Sequence, residues 1–191
     1  VPSLISEKSP AHYQYKGRYI MTAVKSGLMI IDQYRASVRI LFEKYASQDV
    51  AMVPQSVLFP ETVQFSASEV VILQEMLPQL TKMGFELSDL GGGSYAVNAI
   101  PGGIDGDPVA LVRSIVADAA EKGGEAVSSQ QEKLALTLAR ATAVPYGQLL
   151  TNEEMESLTN QLFACANVNY TPDGRAILSI LPQTDIEHLF G

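Results

Sequence analysis

Residues 27–45 read GLMIIDQYRASVRILFEKY, and the hydrophobic period of this stretch changes in its middle. Residues 28–31 form an apolar run rich in branched side chains, which is typical of a buried strand. From Ser37 onward the apolar residues recur at helical spacing, as Val38, Leu41, Phe42 and Tyr45. The sequence therefore predicts a strand that runs directly into an amphipathic helix, with Asp32 at the junction.

The flanking segments predict a hairpin before this stretch and a mixture of helices and strands after it. Residues 15–24 are rich in β-branched and aromatic residues, and residues 25–27 supply a turn. Residues 66–69 and 151–154 match the Ser/Thr-x-x-Glu capping box that begins a helix. The first of these helices is expected to run toward Gly84, and Pro78 is expected to kink it or end its first half. With further strands predicted at residues 85–87, 95–100 and 176–181, the pattern is that of an α+β domain.

The composition indicates a soluble globular chain that does not bind nucleic acid by itself. Hydrophobic residues make up 47% and charged residues 18% of the chain, and there is no apolar run long enough to predict a membrane span. A formal net charge of −8 opposes binding to a phosphate backbone. The single Cys165 cannot form an internal disulfide, which fits the reducing cytoplasm. We expect it to be a buried thiol rather than a nucleophile paired with His12 or His188.

Two glycine-rich segments resemble ligand loops only superficially. Residues 91–93 lack the Lys-Ser/Thr of a phosphate loop, and no helix is predicted directly after them, so a hairpin turn is expected. Residues 101–106 also predict a turn. Asp107 is expected to cap a helix that begins at Pro108, rather than to belong to a calcium loop.

Residues 32–43, DQYRASVRILFE, resemble the block Asp-Gln-His-Ala-Ala-His-Glu-Arg-Ile-Leu-Tyr-Glu of the C-terminal domain of the MutL family of DNA mismatch repair proteins. Residues 139–144 resemble that family's Ala-Cys-x-x-Ala-Ile, and residues 171–176 resemble its Cys-Pro-His-Gly-Arg-Pro. Residues 185–190 resemble its closing segment. The likeness keeps its order and spacing from about Tyr15 to the end of the chain.

The resemblance implies two subdomains and a homodimer. Residues 1–11 would be the end of a linker, residues 12–53 with 174–191 a dimerisation subdomain, and residues 54–173 an inserted external subdomain. The domain would join two copies of a longer chain whose N-terminal part is an ATP-binding clamp. Through that longer chain, the resemblance implies contacts with the mismatch recognition protein and DNA.

The family members that cut DNA carry metal ligands in these blocks, and this sequence departs from them. Asp32 is the only retained match of a ligand type. The other positions hold Tyr34, Val38, Arg140, Thr171 and Asp173, and neither a valine nor an arginine coordinates a dication. We expect no metal, no cofactor and no catalytic residue, with Asp32 and Asp173 acting as helix-entry and turn residues. The alternative is a weak magnesium site among the remaining carboxylates.

Residues 55–60, QSVLFP, fit the pattern Gln-x-x-Leu-x-Pro, which in this family resembles a peptide that docks on the replication sliding clamp. Gln55 would make directional hydrogen bonds, Leu58 would fill an apolar pocket, and Pro60 would restrict the unbound conformations. The alternative is that Leu58 and Phe59 pack against the edge of the external subdomain, where Pro60 confines the strand to an edge position.

Two other functions remain open from the sequence. A metal-dependent nicking endonuclease with a remodelled site would cut supercoiled DNA in the presence of a metal ion. An unrelated α+β ligand-binding protein would not dimerise.

Overall fold

The computed structural model describes residues 11–47, 52–122 and 129–191. In chain order its elements are β1 (His12–Tyr15), β2 (Tyr19–Val24), β3 (Gly27–Asp32), α1 (Gln33–Ala46), β4 (Pro54–Gln64), α2 (Ala67–Lys82), β5 (Glu86–Gly91), β6 (Ser94–Pro101), α3 (Pro108–Lys122), α4 (Gln130–Thr142), α5 (Asn152–Phe163), β7 (Leu178–Pro182) and α6 (Gln183–His188). Antiparallel sheets and helices both contribute, so the predicted α+β class is confirmed. Within these ranges no helix has the length and apolar character needed to cross a membrane.

The first of two units contains residues 11–40 and 144–191 and is built on a four-stranded antiparallel sheet. The strand order is β1-β2-β3-β7. Alternate side chains of β2 and β3 point to one face, where they form a core with side chains of α1 and α5. The core residues are Ile20, Met29, Ile31, Ala36, Met155, Leu162 and Ile177.

The junction between β3 and α1 forms as the sequence pattern predicts, but the helix begins earlier. The backbone N–H of Arg35 donates a 3.0 Å hydrogen bond to the Asp32 carboxylate. Asp32 is therefore the N-cap, and the helix starts at Gln33 rather than near Ala36. The reason is that the side-chain cap, and not the start of the apolar stripe, decides where the first helical turn forms.

The segment predicted as one strand over residues 15–24 is in fact two strands and a turn. Lys16 and Gly17 both have positive φ angles, of 52° and 60°, and this turn joins β1 to β2. Glycine is also required at Gly27, where φ is 151° and a Cβ atom would collide with the Leu181 carbonyl oxygen of β7. The close pairing of β3 with β7 thus depends on that glycine.

The second unit contains residues 41–143, and a three-stranded sheet of order β4-β6-β5 lies in it with helices α2, α3 and α4. Residues 91–93 connect β5 to β6, so the predicted hairpin turn is confirmed. Capping boxes begin α2 in this unit and α5 in the first unit, as predicted. The predicted extent of this helix toward Gly84 is confirmed, because α2 continues past Pro78 to Lys82, and a kink at Pro78 stays a prediction. The Gln74 carbonyl that Pro78 leaves unbonded belongs to an exposed residue, where water can satisfy it.

The unit boundaries differ from the subdomain boundaries that the resemblance implied. Residues 144–173 belong with the first sheet rather than with the second unit, because Met155 and Leu162 of α5 pack into the core of that sheet. Residues 41–53 fall in the second unit. The assignment of a dimerising and an external role to these units stays a prediction. The expected linker end lies outside the described residues except for Ala11.

Candidate functional site

The outer face of the first sheet, opposite its core, is unusually apolar. On β2 and β3 the residues that alternate with the core are Met21, Leu28 and Ile30, and each of them remains partly exposed. A sheet face that meets water is normally polar. Both faces of these strands therefore have the chemistry of buried surfaces, although only one is covered within the chain's own core.

The strand register places these side chains in rows across the sheet. One row contains Tyr13, Met21, Ile30 and Ser179, which are direct neighbours on β1, β2, β3 and β7. A second row contains Ala23, Leu28 and Leu181. We call the seven residues of these two rows the outer face. Leu189 and Phe190, which follow β7 and α6, add two further large exposed apolar side chains to this unit.

Asp32, the one retained residue of a ligand type, already makes hydrogen bonds and ion pairs with neighbouring residues of the chain. It is 6% exposed. Besides capping α1, its carboxylate lies 3.9 Å from Arg18 Nε and 3.7 Å from Arg35 Nε. The Tyr146 hydroxyl donates a 2.6 Å hydrogen bond to it. Two guanidinium groups beside one carboxylate leave no excess negative charge for a dication.

Tyr146 links this carboxylate to an aromatic and cationic cluster. Its ring lies 5.5 Å from that of Tyr34, and the Arg18 guanidinium lies 4.3 Å from its centroid. Burial raises the pKa of Tyr146, and the hydrogen bond to Asp32 and the charge of that carboxylate raise it further. The two arginines act in the opposite direction, and the pKa is about 12. The phenol is therefore a persistent donor at neutral pH.

A buried amide network beside this cluster fixes the segment after residue 144. Gln33 is fully buried. Its amide donates to the carbonyl of Pro145 at 2.9 Å and accepts from the Gln14 amide at 2.7 Å. Gln14 in turn bonds the backbone of Gln148 and Leu150. This network, which the sequence patterns did not reveal, ties β1, α1 and residues 145–150 together.

The other positions that the resemblance relates to metal ligands also make structural contacts. Val38 is buried, and Arg140 pairs with Asp118 at 3.4 Å in the second unit. Thr171 donates a hydrogen bond to Asp173, which also pairs with Arg175 at 3.4 Å. In the described ranges no three His, Cys, Asp or Glu side chains converge as metal ligands would. These residues do not fit a bound transition metal.

Within the Gln55–Pro60 segment, residues 55–60, the part that follows Ser56 bulges out of strand β4. Ser56 pairs with Ala99 and Glu61 pairs with Val97, so five steps along β4 match only two along β6. The additional residues loop outward, and Leu58 is 90% and Phe59 83% exposed. Gln55 and Pro60 are exposed as well. The interpretation that Leu58 and Phe59 pack against the subdomain edge is therefore wrong within this chain.

Comparison with known proteins places this chain in a family. A family model described as the MutL C terminal dimerisation domain matches residues 12–150. The chain belongs to that family. The resemblance drawn from residues 32–43 and the later blocks is thus confirmed, as is the association with DNA mismatch repair.

Curated relatives named DNA mismatch repair protein MutL match the MutL C-terminal domain described here over nearly its whole length. The protein from Phocaeicola vulgatus is 56% identical over 98% of this chain, and that from Bacteroides fragilis is 53% identical over 97%. A more distant one from Flavobacterium psychrophilum is 31% identical over 96%. The chain spans 31% of the length of the first of these relatives.

In this MutL domain, one feature of the sequence indicates the outer face, namely the apolar residues on both sides of β2 and β3. Apolar residues occupy both alternating sets of β2 and β3, whereas a strand with one wet face shows apolar and polar residues in turn. The buried glutamines carry no such signal. A glutamine in a sequence does not disclose whether its amide meets water or a distant carbonyl.

Proposed function

We propose that the outer face is the surface through which two copies of this MutL domain form a homodimer. The observation that supports this is the row of Tyr13, Met21, Ile30 and Ser179 together with the row of Ala23, Leu28 and Leu181. The surface is apolar and built on paired strands. Most homodimers use one surface patch on both subunits, related by a two-fold axis.

The free energy of dimer formation depends on the apolar area that the interface buries. A stable dimer of this kind buries on the order of 1,200 Å² or more in total. At about 25 cal/mol per Å² of apolar surface, covering several partly exposed Met, Ile, Leu and Tyr side chains favours association. The exposed tail residues Leu189 and Phe190 would enlarge the covered area.

Cysteine cross-linking tests the location of this interface. Single cysteines at Met21, Ile30 and Ser179 are introduced one at a time into a Cys165→Ser background, with Val71→Cys on exposed α2 as the matched control. Positions near a two-fold axis bring their own copies within disulfide distance. We expect at least one row position to form a covalent dimer much faster than the control. Rates equal to the control at all three positions would rule out this face.

We infer, further, that this domain is not a nuclease by itself and holds no metal cofactor. The support is chemical: Asp32 is neutralised by Arg18 and Arg35, and Val38 and Arg140 replace residues of ligand type. A nicking assay with supercoiled DNA and manganese tests this. The expected result is no metal-dependent nicking, and nicking that Asp32→Asn abolishes would support the remodelled endonuclease instead.

A second proposed role is docking on the replication sliding clamp through Gln55, Leu58 and Pro60. The observation that favours it is the outward bulge, which presents Leu58 at 90% exposure without a partner strand at that position. An exposed apolar anchor beside a conformationally restricted proline suits insertion into a partner's pocket. A contact of this size is expected to bind with micromolar affinity, or about 8 kcal/mol.

The docking proposal is tested with Gln55→Ala/Leu58→Ala in a pull-down by the sliding clamp. We expect loss of clamp binding with the dimer intact. A matched control is Gln74→Ala/Val71→Ala on α2, where both side chains are also exposed. Clamp binding that persists in the folded motif variant would show that the sequence match arose by chance.

For the longer protein, we propose that this domain holds together two ATP-binding chains of a mismatch repair protein in the cytoplasm. The mismatch recognition protein and DNA would then be engaged through the rest of that chain, because the net charge of −8 disfavours DNA binding here.

A further inference from the structure

A cavity of about 400 Å³ lies directly behind the Gln55–Pro60 segment in the second unit. One wall is the bulged part of β4, including Leu58 and Phe59, and the opposite wall is the connection between β6 and α3. The residues of that opposite wall are Ile100, Ile104, Asp105, Gly106, Pro108 and Val109. A volume of this size is in the range of pockets that receive a ligand or a partner's side chain.

The lining combines an apolar floor with an anionic rim. Ile100 and Ile104 are buried, whereas Glu61 and Asp105 are exposed. Among the described residues that line the cavity, none is a lysine, arginine or histidine. The structure also gives neither carboxylate a hydrogen bond or ion pair within the described chain. The nearby Asp107, by contrast, already has a partner within the chain, because its carboxylate accepts a hydrogen bond from the N–H of Val109 at the start of α3.

We propose that this cavity receives an arginine or lysine side chain of the same partner that takes the Gln55–Pro60 segment. A long aliphatic stem matches the floor, and a cationic head matches the two carboxylates at the rim. The inference rests on the proposed docking function, since a partner that covers Leu58 and Phe59 also covers the mouth of the cavity. The contact is thereby reciprocal: the domain inserts an apolar anchor and accepts a basic one.

Binding of this chain to the immobilised sliding clamp, measured by interferometry at about 50 mM and about 300 mM salt, tests the proposal. The test variant is Glu61→Gln/Asp105→Asn, which keeps shape and removes two charges. The matched control is Glu86→Gln/Glu121→Gln, which makes the same charge change elsewhere in the unit. Loss of two partly exposed ion pairs should weaken binding roughly three- to tenfold at low salt, with a smaller difference at high salt. The control should bind like the unmodified chain.

Leu58→Ala, measured alongside, separates the two proposals. If Leu58→Ala abolishes binding while the carboxamide variant binds as tightly as its control, the cavity inference is wrong and docking stands. If Glu61→Gln/Asp105→Asn and its control both bind the clamp more weakly, and by the same factor, the loss reflects long-range electrostatics. The cavity inference is then wrong as well. If Leu58→Ala binds normally, docking fails and the cavity inference fails with it.

Discussion

The hydroxyl group of Tyr146 donates a 2.6 Å hydrogen bond to the carboxylate of Asp32, across 114 residues of sequence. The same carboxylate caps α1 through the N–H of Arg35. One side chain therefore fixes both the start of the helix and the segment that returns to the first unit.

Replacing Tyr146 by phenylalanine should lower the free energy of unfolding by about 0.5–1 kcal/mol, because a partly exposed hydrogen bond to a charged acceptor is lost. Urea unfolding followed by circular dichroism measures this. Tyr170→Phe, at another exposed tyrosine, is the control and should change stability little. Equal effects of the two substitutions would show that the bond to Asp32 contributes nothing.

The same pair of variants predicts a specific alkaline response. The pKa of Tyr146 is about 12 in the folded chain against an ordinary 10.0, so the phenol holds its proton more tightly when folded. Its contribution to stability is therefore complete below pH 10 and is lost as the pH rises from 10 to about 12. The stability difference between the chain and Tyr146→Phe should shrink over that window. A stability difference that grows between pH 10 and about 12 would contradict the raised pKa of Tyr146.

Gln33 should tolerate replacement by methionine poorly, although the two side chains have similar volumes. The substitution removes the bonds that the fully buried Gln33 makes to Gln14 and to the Pro145 carbonyl, and the loss of two such bonds costs about 1–3 kcal/mol. Thermal or urea unfolding measures the loss. Gln74→Met on the exposed face of α2 should be nearly neutral, and a Gln33→Met variant as stable as that control would contradict the network.

Local signals in the sequence were enough to predict the main elements of the fold. The change of period around Asp32, the two capping boxes and the glycine hairpin all act through neighbouring residues, so a linear sequence displays them. Whether Pro78 would interrupt its helix was harder to predict, because that depends on whether the carbonyl it leaves unbonded meets water, which is a property of the folded surface. The turn at residues 16–18 was missed because Lys16 is an unusual residue for a positive φ angle.

The same distinction between local and long-range features applies to the candidate sites. The Gln55–Pro60 segment was identified from its residues alone, whereas its exposure follows from a bulge that only strand pairing shows. The placement of α5 against the first sheet, and the bonds of Tyr146 and Gln33, join residues more than 100 positions apart. No local pattern specifies those partners, because many arrangements satisfy the same hydrophobic period.

Leu58→Ala should leave the fold intact, in contrast to a core leucine. A 90% exposed side chain has little packing to lose, so its truncation should change the free energy of unfolding by less than about 0.5 kcal/mol. Leu73→Ala, at a fully buried leucine of α2, should cost about 2–5 kcal/mol. Unfolding of the Leu58→Ala variant would show that Leu58 is a packing residue, not a free anchor.

The homodimer and its interface are tested most directly by sedimentation equilibrium across concentrations. The unmodified chain should be a dimer at about 30 µM, a concentration at which specific interfaces of standard size are occupied. Ile30→Lys places a charge in the middle of the outer face and should give a folded monomer, whereas Val71→Lys on α2, where Val71 is 57% exposed, should remain a dimer. A monomeric unmodified chain, or an Ile30→Lys variant that dimerises as well as Val71→Lys, would contradict the assignment of dimerisation to the outer face.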